Sequence, residues 1–265
     1  MYLTSNPKIL SELCYAIDSI CRNDLWLEQI TSERDYVSNL LSHFRFPLGP
    51  FSKCSLVKAK TNPNNIEQIF GADSMIIFKL QDGVKVGMFE AKWPRLIKES
   101  NYAWDSFITS GTSENKGKSR FTTQLKRQLD NKNSGIVFWE QFFIEEKPGV
   151  SSNGFDKLGS SCILLNDAHK CFIKNKGSDE TIKWSNSDFP ELLKKGKNIQ
   201  QIFEQILLCK LGKKMKVKDG KIQLLKSNEM EIPIIESEGL NKDNIEAIKT
   251  FMKENGIINY LSIDL

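Results

Sequence analysis

Gly71 to Pro94 read GADSMIIFKLQDGVKVGMFEAKWP, and this stretch decides the fold. Ser74 to Leu80 is rich in strand formers, Gln81-Asp82-Gly83 is a turn signal, and Val84 to Ala91 resumes the strand pattern. Apolar runs on either side of an Asp-Gly pair predict a β-hairpin. Trp93-Pro94 ends it, because proline cannot donate to a strand ladder. With the turn centred on Asp82 or on Asp82–Gly83, paired residue numbers sum to 164 or 165, and Asp73 lies opposite Ala91 or Lys92. Glu90 and Lys92 are two apart on one strand and share a face. An aspartate, a glutamate and a lysine therefore meet at the open end of the hairpin.

Helical spacing appears upstream at Leu10, Leu13, Cys14, Ile17 and Cys21, which predicts a helix over 7–21. A second helix runs from Ser32 to before Pro47 on the stripe Tyr36, Val37, Leu40, Leu41 and Phe44. Lys53 to Lys60 reads as a strand, Asn62 to Asn65 as a turn, and Gly111 to Lys118 as a polar loop. Downstream come a helix over 121–129, strands over 136–144 and 162–165, a long helix over 189–211, a small hairpin around Asp219-Gly220, and a last helix over 242–254. From Ser32 to Ile144 the order is helix, strand, strand, strand, helix, strand. A hairpin followed by a helical crossover predicts a mixed α/β sheet with helices on its faces.

The totals exclude several chemistries. The chain has 265 residues, 40% apolar and 26% charged, with a net charge of +4. That suits one large globular domain, or one domain with an appendage. No apolar run reaches the roughly 18 residues of a membrane span, and the first residues lack a secretory pattern, so a cytoplasmic protein is expected. None of the six cysteines forms a CxxC pair, and there are two histidines, His43 and His169. Zinc ribbons, HExxH sites and histidine-based triads lose their raw material. Chemistry here must rest on carboxylates and lysines. Nine lysines between Pro190 and Lys221 face three acids, a cluster suited to a polyanion.

Two carboxylates about 5 Å apart on neighbouring strands repel by about 3 kcal/mol at an effective dielectric near 20. A cation relieves this, and Lys92 supplies one charge. Magnesium accepts one or two carboxylates, keeps several waters and binds substrate phosphate. It can also make a bound water acidic enough to attack phosphorus. An acid two before a lysine recurs at Glu114/Lys116, Asp130/Lys132, Glu145/Lys147 and Asp219/Lys221, but only Glu90/Lys92 gains an aspartate from a hairpin partner. Glu33 stands three, four and seven residues before Tyr36, Val37 and Leu40, on the apolar side of its helix. Ser32 and Asp35 also fit a capping box there.

The segment Gly71-Ala72-Asp73, a hairpin, then Phe89-Glu90-Ala91-Lys92 resembles the core of the PD-(D/E)XK, restriction-endonuclease-like superfamily, with alanine where many members carry proline. The likeness covers about residues 32–144 and implies an αβββαβ core. It implies that Asp73, Glu90 and the Ala91 carbonyl bind magnesium, with manganese as a substitute, that Lys92 assists the attacking water, and that Glu33 completes the acidic cluster. Ser119 to Gln124, with Gln128 a turn later, looks like the glutamine-bearing helix of some members. Arg120, Gln124, Arg127 and Gln128, together with Lys213 and Lys214, are the expected nucleic-acid contacts.

The expected organisation is a nuclease core over 1–189, including the N-terminal helix, and a lysine-rich helical and hairpin extension over 190–265 packed on it. The expected activity is hydrolysis of DNA, double-stranded first, with RNA left open. A homodimer would supply two sites for two strands. The alternative is a catalytically inactive nucleic-acid-binding or regulatory protein of the same fold. A third reading is an α/β protein whose basic C-terminal region meets acidic proteins.

Overall fold

Asn6 caps the first helix by accepting the amides of Lys8 and Ile9, and Pro7 occupies the first helical position, where its missing N–H costs nothing. The computed structural model describes residues 6–56, 70–98, 101–109, 114–150, 154–223, 231–234, 242–255 and 257–265. In chain order the helices and strands are α1 (Pro7–Trp26), α2 (Glu33–His43), α3 (Arg45–Leu48), β1 (Ser52–Leu56), β2 (Ser74–Leu80), β3 (Gly83–Lys92), β4 (Arg95–Lys98) and β5 (Asn101–Ala103). They continue with α4 (Arg120–Asp130), β6 (Val137–Phe142), β7 (Ser161–Leu164), α5 (Leu165–Lys176), α6 (Phe189–Leu192), β8 (Lys197–Asn198) and α7 (Ile199–Leu207). The last are β9 (Val217–Lys218), β10 (Lys221–Gln223), β11 (Glu231–Pro233), α8 (Lys242–Asn255) and β12 (Asn259–Asp264).

Seven strands form one mixed sheet in the order β1-β12-β2-β3-β6-β7-β8. The hairpin β2–β3 is antiparallel, while β3 runs parallel to β6 across the α4 crossover. Alternation along β3 feeds two cores. Val86 and Met88 pack with Phe121 and Leu125 of α4 and with Ala168 and Phe172 of α5. Phe89 and Ala91 pack with Cys14 and Ile17 of α1, Val37 and Leu40 of α2, and Phe203 and Ile206 of α7. Burial on both faces explains why β2 and β3 read as nearly continuous apolar runs. Trp139 stacks on Phe89 at 5.0 Å between ring centroids. A Cβ at Gly87 would come within 2.8 Å of the Trp139 ring, so glycine at 87 makes room for it.

The chain is thus mixed α/β, as its patterning predicts, but three expectations need correction. First, Leu80 pairs with Gly83 and Ser74 with Phe89. Paired numbers therefore sum to 163, and the turn is Gln81–Asp82. The cause is tertiary: Val84 and Met215 exchange both backbone bonds, at 2.9 and 2.8 Å, and Lys214 holds Asp82 with two contacts of 2.7 Å. The 213–215 segment fixes the tip of the hairpin.

Second, the long helix over 189–211 is broken into α6, β8 and α7. A Cβ at Gly196 would meet the Leu193 carbonyl oxygen at 2.9 Å, and Asn198 with Gln201 forms a capping box that starts α7 afresh. Third, residues 190–265 are not an extension laid on a finished core. The last strand, β12, sits between β1 and β2, antiparallel to one and parallel to the other. The three successive strands β1, β2 and β3 are therefore not three neighbours in the sheet.

The strand expected over 53–60 is described as β1 up to Leu56, and the turn over 62–65 lies outside the described residues, as do 111–113 of the polar loop. The Asp219-Gly220 hairpin is present, with both residues at positive φ, 50° and 69°, which suits a tight two-residue turn. Among the described residues no helix is long and apolar enough to cross a membrane.

Tyr260 of β12 enters one core, and Leu261 and Ile263 enter the other. Deleting residues 257–265 should therefore abolish the cooperative thermal transition seen by circular dichroism. A truncated chain that still melts cooperatively near the wild-type temperature would show that β12 is dispensable.

Candidate active site

The site forms where β2 stops and β3 continues. The paired register ends at Ser74–Phe89, so Asp73 lies one residue before the ladder, where its charge acts on Glu90. The Asp73 amide donates to the Phe89 carbonyl at 3.1 Å, and its carbonyl accepts from Ile258 at 2.7 Å and Asn259 at 3.1 Å. The backbone of Asp73 is pinned by β3 on one side and by the start of β12 on the other.

Glu90 and Lys92 face α4 and are buried, at 3% and 6% exposure. They form a closed triangle with Gln124. Lys92 Nζ donates to Glu90 Oε1 at 2.8 Å and to Gln124 Oε1 at 2.7 Å, and Gln124 Nε2 donates to Glu90 Oε1. The second carboxyl oxygen, Glu90 Oε2, is buried with no hydrogen-bond partner among the described residues.

Sequence reading missed Glu140. On β6 it is the register partner of Glu90 and fully buried; the Gln128 amide faces it, but neither of its oxygens has a well-formed hydrogen bond among the described residues. An acid beside Gln141 inside the largely apolar run Val137 to Phe143 was the available signal. The charges interact strongly. Burial, then the nearby Asp73 charge and finally that of Glu33, push Glu90 from an ordinary 4.5 up to about 8 against the pull of Lys92. Glu140 is likewise pushed to about 8, by burial and by Glu90, with Lys92 and Gln128 opposing. Burial alone would lower Lys92. Glu90, Glu33 and Glu140 outweigh it and hold the ammonium above its ordinary range.

Glu33 comes from the other face of the sheet. It is exposed, and its Oε1 accepts the Trp93 amide at 2.7 Å, tying the first turn of α2 to the end of β3. It lines a shallow cleft with Arg34, Val37, Asp73, Ala91, Ile258 and Asn259. Asp73 therefore stands between Glu33 on one side of the sheet and Glu90 on the other. Ser32 caps α2 through the Asp35 amide.

The expected nucleic-acid contacts separate. Gln124 belongs to the buried triangle. Gln128 is fully buried and donates to the Gly71 carbonyl at 2.7 Å. Neither presents a surface to a phosphate, which corrects that assignment: both lie on the inner face of α4. Arg120 is exposed and Arg127 half-buried. Lys118 and Lys126 share the single carboxylate of Glu180, which offsets one of their two charges.

Lys213 and Lys214 are exposed but lie at the turn end of the hairpin. Six residues of strand at about 3.3 Å each set them some 20 Å from Glu90. Lys214 pairs with Asp82. Lys210, Lys213, Lys216 and Lys218 are exposed and carry no ion pair among the described residues. Trp139 and Trp104 serve the core, whereas Trp93 is half-buried with the Arg95 guanidinium 4.6 Å from its ring. Lys147, of the recurring Glu145/Lys147 pair, lies over Trp26 of α1.

Among the described residues no three His, Cys, Asp or Glu side chains converge as a ready metal cage. Magnesium needs only one or two protein carboxylates, and the partnerless Glu90 Oε2 beside Asp73 fits that smaller demand. No family model, curated protein or solved structure matches the chain.

Between about pH 4.5 and 8 the folded chain holds protons on Glu90 and Glu140 that the unfolded chain has released. Stability must then fall as pH rises through that window and level off above it. The two acids titrate as a coupled pair. The melting temperature should drop from pH 5 to pH 8, and Glu140→Gln should remove a large share of the drop. A wild-type profile that is flat or rising across this range would contradict the buried pair.

Proposed function

We propose that the protein is a magnesium-dependent nuclease, a DNA endonuclease, that hydrolyses phosphodiester bonds at the Asp73/Glu90/Lys92 site, with manganese able to replace magnesium. The observation that carries this reading is the partnerless Glu90 Oε2 in a buried acid–lysine–glutamine triangle beside Asp73. Leaving aside the short α3 and the small β4–β5 hairpin, the order α2, β1, β2, β3, α4, β6 with a β2–β3 hairpin and a parallel crossover is also compatible with a restriction-endonuclease-like core.

In this reading Asp73, Glu90 and the Ala91 carbonyl hold the cation. Bound there, it would supply the Lewis-acid chemistry that makes water acidic and offsets charge on the scissile phosphate. Lys92 keeps its proton, so it does not act as the base. It donates hydrogen bonds, orienting water and stabilising negative charge as it develops. Gln124 fixes the direction of that ammonium. Glu33 lines the open side of the cleft, where water and substrate enter. Lys210, Lys213, Lys216 and Lys218 form a separate polyanion surface at the far end of the hairpin.

A second reading, a nucleic-acid-binding protein without catalysis, draws on the absence of a three-acid cage among the described residues. Cleavage decides between them. Plasmid DNA should be nicked or linearised with magnesium or manganese and left intact in EDTA. Asp73→Ala, Glu90→Ala and Lys92→Ala should each lower the rate by several orders of magnitude, without adding, because the groups act as a unit. Glu145→Ala should cleave normally. Retention of DNA without any cleavage would favour the second reading, and cleavage persisting in EDTA would overturn the first.

The two roles of Glu33 separate by substitution. Glu33→Gln keeps an acceptor for the Trp93 amide, so its melting temperature should stay near wild type while cleavage falls strongly. Glu33→Ala should lose about 1 kcal/mol of stability as well. Full activity in Glu33→Gln would leave Glu33 as a backbone anchor alone.

A further inference from the structure

We infer that Gln128 is a positioning residue that sets where Asp73 stands relative to Glu90. The inference rests on the nuclease reading and extends it to a side chain that touches neither substrate nor cation. Gln124 and Gln128 are four apart on α4 and share one face. Gln124 engages the Glu90–Lys92 end of β3, whereas Gln128 Nε2 donates to the Gly71 carbonyl at 2.7 Å, two residues before Asp73. One helix thereby holds both halves of the site.

The turn carrying Asp73 is fitted closely to that helix. Gly71 has φ +61°, and a Cβ there would stand 2.5 Å from the Gln124 carbonyl oxygen and 3.1 Å from the Arg127 Cβ. Any side chain at 71 would push the turn off α4. The opposite edge of the turn is fixed by Ile258 and Asn259, which both donate to the Asp73 carbonyl. With the Gly71 carbonyl bonded to Gln128, the chain enters and leaves the Ala72-Asp73 step from fixed points. Without that bond, the entry side loses its polar tether and leaves a buried carbonyl unpaired.

The Gln128 amide is also directional. Its nitrogen goes to Gly71 and also faces the Glu140 carboxyl, while its oxygen finds no donor among the described residues. Flipping the amide would set oxygen against the Gly71 oxygen, so the donor role is fixed by the bond it makes. A methionine at 128 would keep the bulk of the side chain and remove the donor.

The test is a magnesium titration of Gln128→Met, read both by DNA cleavage and by the rise in melting temperature on adding magnesium. The magnesium needed for half-maximal effect should increase about tenfold in both readouts, the usual scale for loss of an outer-shell partner. The KM for DNA should stay within about twofold. Thr122→Val, which loses the 2.8 Å bond from Trp184 Nε1 in the same helix, should lower the melting temperature without moving the magnesium requirement. Should Gln128→Met fail to fold, Gln128→Asn keeps an amide but falls one methylene short of Gly71 and should show the same shift. An unchanged magnesium requirement in a folded, cleaving variant overturns this inference alone. A wild-type protein that neither cleaves DNA nor responds to magnesium overturns the nuclease reading with it.

Discussion

A carboxylate taken out of water costs several kcal/mol unless charge and hydrogen bonds compensate it. Glu90, buried at the end of the central hairpin, is the constraint on which much of this structure depends. One oxygen is compensated by Lys92 and Gln124, and the other is not. The lysine must sit two residues on, because only a side chain on the same face of β3 can reach. Its own burial is tolerable because Glu90, Glu33 and Glu140 surround it. The cluster as a whole carries more acid than base, which is an arrangement that attracts protons or cations.

Helix α4 makes that cluster specific. Phe121 and Leu125 bury its apolar stripe against the sheet, and full burial of each such side chain is worth about 1.5–3 kcal/mol. Its start is held by Asp105, which accepts from the Ser119 hydroxyl and from the amides of Ser106, Phe121 and Trp184. An acid at that end also favours the helix dipole. Rings of Trp104, Phe121, Phe142, Trp184 and Phe189 interlock beneath it, with neighbouring centroids 5–6 Å apart. A helix fixed this firmly can place two glutamine amides where polar groups need them. Burying Gln124 and Gln128 is affordable only on such a support.

The other constraint is spatial. The acidic end and the lysine-rich end of the β2–β3 hairpin lie about 20 Å apart by strand rise, so like charges within each end meet little relief from the other. The basic segment contributes structure as well as charge: Lys214 clamps the turn through Asp82, and the buried Lys85 donates to the Leu211 and Gly212 carbonyls just beyond α7. Residues beyond 190 thereby hold the hairpin tip at one end, and β12 holds Asp73 at the other.

The sequence by itself determined the hairpin, the mixed α/β class, the helical stripes of α1 and α2, the presence of α4, and the convergence of Asp73, Glu90 and Lys92, because periods of 2 and 3.6 are local properties of the chain. Glu33 was legible from its place on the stripe of α2, though not its bond to Trp93. Hairpin register was misjudged by one or two places, because Met215, more than 130 residues away, decides which residues form the turn. Gln124 and Gln128 could be read as lying near the active site or against the DNA backbone, and only packing chose the inner face, since nothing local marks it on a polar helix. Glu140 became a site residue only when β3 and β6 paired in register. The strand β12 belongs to the centre of the sheet only after the chain has returned there. Tertiary structure decided those matters, because long-range pairing alone sets which buried polar groups become neighbours, and it is their mutual compensation that makes the site.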